Sequence, residues 1–228
     1  MKPFIETTAM TDSQLREEIC RVGKSLFDRG YVHATAGNIS ARLGDGGHLI
    51  TPTDACLGTL DPARLALVDA DGAQRSGDRA SKTLALHRQI YAAATDAGCV
   101  IHTHSSHLVA LTLQGVCSDD DILPPITPYF VMKVGHVPLI RYRRPGDPQV
   151  GELVAQRIKS AVAAGTPIRA VMLDRLGPNV WHRSPAEASA VLEELEETAR
   201  LWLRCEPKPA PLSAAQIDEL RRSFGAAW

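Results

Sequence analysis

Apolar residues recur at Leu15, Ile19, Val22, Leu26 and Phe27, the spacing of one helix face, and Gly30 closes the run. With Asp12 or Ser13 as the N-cap, the pattern predicts a helix over 12–30. The period then changes to two. ISARL and HLITPT alternate on either side of the turn GDGG (44–47), which predicts a hairpin, and LGTLDPARLALVDADG predicts a further strand with an Asp-Gly turn. Helical spacing resumes near Ser81 and runs through Leu84, Leu86, His87, Ile90 and Tyr91. A strand over 99–103 follows, then a helix from about Ser105 to Gln114.

Residues 117–128 read as a loop, with an Asp run and Pro124, Pro125 and Pro128. GHVPLIRY (135–142) reads as a strand, 144–147 as a turn and 148–164 as a helix ending at Gly165. IRAVMLDRLGPNVW predicts a strand, a Gly-Pro turn and a second strand. Ser184, Pro185 and Glu187 fit the N-cap, N1 and N3 positions of a helix running to about residue 204. CEPKPAPLS (205–213) reads as a linker to a C-terminal helix, AAQIDELRRSF. The mixed order of strands and helices argues for one α/β/α sandwich around a mixed, mainly antiparallel sheet, spanning 1–228 as a single domain.

Composition narrows the function. A chain of 228 residues, 44% hydrophobic, can bury a sizeable core. The formal charge of −1 gives no basic footprint for nucleic acid or anionic membrane, and the apolar runs fall short of the ~20 residues that span a bilayer. Cys20, Cys56, Cys99, Cys117 and Cys205 are scattered, and MKPFIETTAM has no apolar signal segment; both point to a reducing cytoplasm.

The chemistry gathers in CVIHTHSSHLVAL (99–111). His102 and His104 lie one residue apart on an extended segment, so both rings can face one ion. His107 falls on the following helix, where capping or packing suits it, and His87 reads as a structural histidine. His33 sits beside a glycine loop, either facing a pocket or at the surface. Arg141, Arg143 and Arg144 either approach an acidic substrate or cluster on the surface beside a turn.

Together TAGNISARL, ITPT, the SK pair before a helix, HTHSSH, the GP pair after an apolar strand and EELEETARL resemble the class II aldolase/adducin superfamily over essentially the whole chain. CLGTLDP, TPYFVMKVGHVPL and YRRPGD resemble its 3-oxo-tetronate 4-phosphate decarboxylase branch. The resemblance implies a lyase acting on a small sugar-acid or ketose phosphate through a metal-stabilised enediolate, with cyclic tetramers and active sites between subunits. It implies Zn2+ or another divalent metal on His102 and His104. It also implies a phosphate cradle from Gly37, Asn38, Thr53, Asp54, Ser81 and Lys82, and a proton-donating tyrosine near Tyr129.

The chain departs from that pattern at three positions. Thr83 stands at the acid/base position where the family has Glu, Leu176 stands where it has the third histidine, and Asp54 replaces a cradle glycine. A carboxylate ~4 Å from a phosphate at an effective dielectric of ~20 is repelled by about 4 kcal/mol per unit charge, which Lys82 can partly offset. These losses leave a second reading open: a member that keeps the fold without the chemistry, or turns the pocket to another use.

Overall fold

The computed structural model describes residues 10–228. Most of the N-terminal segment read above for a signal sequence therefore lies outside the described residues. Helix α1 (Asp12–Asp28) begins where the pattern predicts, but its N-cap is Thr11 instead of Asp12 or Ser13, because Thr11 forms a reciprocal capping box with Gln14. Its buried face is Leu15, Ile19, Val22 and Leu26. Strands β1 (Asn38–Arg42) and β2 (His48–Ile50) form the expected hairpin. Two short 3-10 turns, Leu57–Thr59 and Pro62–Arg64, lead to β3 (Ala66–Val68), which pairs antiparallel with β4 (Gln74–Ser76).

Helix α2 (Leu84–Ala93) begins three residues later than its apolar spacing implies. The Ser81 and Thr83 hydroxyls bond each other at 2.8 Å, and Thr83 gives the helix no side-chain cap. Strand β5 (Cys99–His102) and helix α3 (Ser106–Gln114) follow as predicted. The strand expected over 135–142 shrinks to β6 (Leu139–Ile140), and a π-helical turn, Phe130–Val134, precedes it. Neither has a local signature, since β6 exists through its parallel pairing with β7. Then come α4 (Gln149–Ala163), β7 (Ala170–Leu173), β8 (Gly177–His182), α5 (Pro185–Arg204) and α6 (Ala214–Phe224). The turn between β7 and β8 is Asp174–Leu176, with Arg175 left-handed at φ 61°, and the Gly-Pro pair opens β8 instead of making the turn.

The eight strands form one sheet in the order β4-β3-β2-β1-β5-β8-β7-β6, with β6–β7 as its parallel pair. Alternation sorts its two faces. Ile39, Ala41, Leu49, Ile101, Val180 and Met172 pack against α1, α3 and α5 in a dry apolar layer. The opposite face presents Val100, Val171 and Trp181 to α2 and α4, and its polar residues lie at one end. That end carries the candidate site.

Helix α5 also anchors α3 from beneath. Glu196 is 1% exposed and accepts from the His107 and Leu108 backbone N–H groups at 2.9 and 3.1 Å, while His107 Nδ1 lies 2.8 Å from the same carboxylate. His107 thus sits in the first turn of α3 with its ring packed on Glu196, and the carboxylate, not the imidazole, does the capping. Glu196→Ala removes the acceptor from two helix N–H groups and is expected to cost about 2–4 kcal/mol in urea denaturation. A loss under about 1 kcal/mol would show that the cap is dispensable.

Candidate active site

Strand register builds the floor of the site. Asn38 on β1, His102 on β5 and Asn179 on β8 are direct cross-strand partners. Their side chains therefore project together on the α2/α4 face, with Cβ atoms of adjacent members about 5 Å apart. They line a cleft of about 750 Å³ whose walls are the glycine loop before β1, the 52–54 turn, the start of α2 and the arginine-rich loop after β6. Gly37, Asn38, Thr53, Asp54, Ser81, Lys82, Thr83, His102, His104 and Leu176 all line it.

Two glycines hold the His-x-His segment by close backbone approach. A Cβ on Gly37 would stand 2.8 Å from the His102 carbonyl, and one on Gly177 would stand 1.9 Å from the Thr103 carbonyl. Both glycines also take positive φ, +85° and +139°. Pro178 completes the clamp: its carbonyl accepts from Thr103 N–H at 3.4 Å and lies 2.9 Å from His102 Nδ1. A carbonyl can only accept, so Nδ1 carries the proton and Nε2 presents its lone pair. Burial, then the neighbouring His104, pushes the His102 pKa down to about 4, so the ring is neutral at pH 7. Burial lowers His104 as well, with His33 adding to it.

The donor set is incomplete for the metal the resemblance implies. His102 and His104 have ring centroids 5.1 Å apart, but Leu176 offers no donor atom and Thr83 only a neutral hydroxyl already bonded to Ser81. His33 is exposed, and its ring lies 6.4 Å from His104. Among the described residues no group of three His, Cys, Asp or Glu side chains could hold a metal ion. Two imidazoles are one ligand short of a catalytic zinc site. The residues present do not fit a tightly held metal.

The cradle keeps its backbone shape. Asp54 adopts φ +57°, the left-handed conformation glycine supplies most easily and Asp tolerates better than most residues. Its residue borders both the main cleft and a second hollow of about 430 Å³ that also touches Arg64 and Arg79. Arg141, Arg143 and Arg144 line the main cleft as exposed residues, so both of their readings from the sequence stay open; Arg141 is bonded to Asp119 at 2.8 Å. Asp147, Glu152 and Asp174 share the rim, so attraction for an anion there is local and not a broad field.

Tyr129 lies outside this cleft. It precedes the π-helical turn and is 61% exposed. Behind the floor, His87 is fully buried, with Nδ1 2.8 Å from the Ser40 hydroxyl, which is itself 2.8 Å from the Tyr91 hydroxyl. His87 is thus the structural histidine its sequence position suggested, although its Nε2 has no protein partner. Asn179 is the residue that sequence reading passed over. Its signal is a polar side chain set between Pro178 and Val180 that shares the Trp181 face.

A sheet of this order and a cleft floored by His-x-His define a member of the class II aldolase and adducin N-terminal domain family, and residues 17–203 match that family. The chain belongs to it. It is 56% identical over 223 residues to the 3-oxo-tetronate 4-phosphate decarboxylase of Cupriavidus necator, covering 96% of this chain and 99% of that protein. The Escherichia coli K12 protein of the same name is 43% identical, with 93% and 98% covered. The crystal structure of YgbL from Klebsiella pneumoniae, an aldolase/epimerase/decarboxylase candidate, is 41% identical with a TM-score of 0.85, covering 93% of this chain and 100% of that one. The family reading, the fold and the assignment as a lyase therefore stand, and the non-catalytic alternative is not favoured. No helix among the described residues is long and apolar enough to cross a membrane.

Proposed function

We propose that the chain is a decarboxylase of 3-oxo-tetronate 4-phosphate, releasing CO₂ and a triose phosphate. The observation that carries this reading is the convergence of the cradle loops and the His102–His104 pair on one cleft, in a chain matching decarboxylases of that substrate end to end. In this reading the phosphate lies among Gly37, Asn38, Thr53, Asp54, Ser81 and Lys82. The substrate carboxylate points toward Arg143 and Arg144, and the reacting carbons lie over His102. A keto group β to the carboxylate allows the breaking C–C bond to leave its electron pair as an enediolate, so the site has to stabilise one developing oxyanion.

Tyr129 then serves a neighbouring subunit, in a cytoplasmic homo-oligomer most simply built as a tetramer. Its exposure on this chain leaves it available for that role. Light scattering at micromolar concentration is expected to give four times the chain mass of 24.6 kDa. A monomer would remove Tyr129 from the site. A panel of 3-oxo sugar acids, with and without the terminal phosphate, tests the substrate. Turnover should depend on the phosphate, and equal turnover without it would overturn the cradle assignment.

A further inference from the structure

All six buried side-chain polar atoms without a protein partner, among the described residues, lie on the α2/α4 face of the sheet or, for His87, on α2 packed against it. They are Asn38 Oδ1, Asn179 Nδ2 and Oδ1, His87 Nε2, His48 Nδ1 and Trp181 Nε1. Three of the six flank His102 in the floor row. Burying an amide with nothing to bond costs a protein stability unless something else pairs it. Asn179 is 0% exposed with both its polar atoms unpaired, and it lines the cleft. This cost falls where two expected metal-site side chains are replaced by Leu176 and Thr83.

We propose that Asn179 and His102 grip the vicinal hydroxy–oxo edge of the substrate directly, in place of a metal ion. The inference rests on the lyase reading above. His102 Nε2 accepts from the substrate hydroxyl, since Pro178 fixes its proton on Nδ1. Asn179 Nδ2 donates to the adjacent oxo oxygen. When the bond to the carboxylate breaks, its electron pair forms the enediol C=C bond and the C=O pair moves onto that oxygen. CO₂ departs, and the enediolate then takes one proton at carbon from the Tyr129 hydroxyl that the assembly proposed above brings in from a neighbouring subunit, and solvent returns a proton to the phenolate. The hydrogen bond from the Asn179 amide strengthens as charge develops, which is the requirement for catalysis by differential binding. Asn38 Oδ1 borders the same edge and can accept from a hydroxyl.

The test compares the full-length chain with Asn179→Leu and Asn179→Asp, each dialysed against a chelator. The parent is expected to retain turnover without metal. Asn179→Leu should lose about 100- to 1000-fold in kcat, the loss typical of removing one oxyanion donor, with KM within about threefold. It should melt at or above the parent temperature, because two unpaired buried polar atoms are gone; a merely structural role for Asn179 would lower the melting temperature instead. Asn179→Asp should be slower still, since it sets a carboxylate against the enediolate. Calorimetric titration with a phosphorylated hydroxamate, an enediolate mimic, keeps this separate from the choice of substrate. Should the parent turn over no 3-oxo acid, the function reading fails, and a weakening of mimic binding by about 30-fold or more in Asn179→Leu, with inorganic phosphate binding unchanged, still supports the grip. Unchanged kcat or mimic affinity in Asn179→Leu overturns it. Turnover lost in chelator and restored by Zn2+ also overturns it, because the metal then holds that edge.

Discussion

Gly177→Ala is expected to be the most damaging single-methyl change in the site, costing about 3–5 kcal/mol. The added Cβ would stand 1.9 Å from the Thr103 carbonyl oxygen and 3.2 Å from His104 Cα, both backbone atoms of the segment that carries the histidines. Neither can swing aside as a side-chain tip could. The φ of +139° adds strain of its own for any residue with a Cβ. At about 2–4 °C per kcal/mol for a chain this size, the melting temperature should fall by roughly 10 °C. Because β8 would be pushed from β5, the row Asn38–His102–Asn179 would also lose its register, and turnover should fall further than the population of folded protein. Thermal melts followed by circular dichroism check the first part. A shift under about 2 °C would show that this close approach does not hold the His-x-His segment in place.

Acid should weaken the fold through its neutral buried histidines. His87 is 0% exposed, and burial first, then His102 and His48, pushes its pKa down to about 3. In the unfolded chain the same ring titrates near 6.5. Between those two values the unfolded state holds a proton that the folded state does not. Stability is therefore complete above about pH 6.5 and falls as the pH drops toward 3. At pH 4.5 the ring has lost about two pH units, or about 2.7 kcal/mol, for His87 alone. His102 and His48, both pushed down to about 4 chiefly by burial, act with the same sign. Urea midpoints at pH 7.5, 6.0 and 4.5 should decline steadily. His87→Gln removes one titrating group, so its midpoints should decline less steeply. An identical slope in that variant would assign the acid sensitivity to other groups.

Much of this molecule is legible in its sequence where the signal is local. Ser184 and Glu187 mark a helix start by a hydrogen bond made within four residues, whereas the equally local Thr11–Gln14 and Ser213–Gln216 boxes stand where the pattern points to Asp12 or Ser13 and to no named cap. The β1–β2 hairpin is set by its turn, and alternation alone puts His102 and His104 at one cleft. What escaped depends on distant partners. The two residues of β6 are a strand because β7 lies beside them, and the π-helical turn at Phe130–Val134 has no periodic signature. Asn179 looks like a turn residue beside Gly-Pro until the register with His102 makes it part of the floor. The losses at Thr83 and Leu176 were visible, but the unpaired amide beside them was not, since satisfaction of a polar group is a property of its three-dimensional surroundings.

The central claim is that a cleft with an incomplete metal ligand set still breaks a carbon–carbon bond. Its most direct test is 3-oxo-tetronate 4-phosphate labelled with carbon-13 at the carboxylate, incubated with the purified chain and followed by NMR. The account predicts that the label appears wholly as CO₂ and bicarbonate, with one triose phosphate formed for each, and that His102→Ala abolishes the release. Label retained in a phosphorylated acid, or release unchanged in His102→Ala, would contradict it.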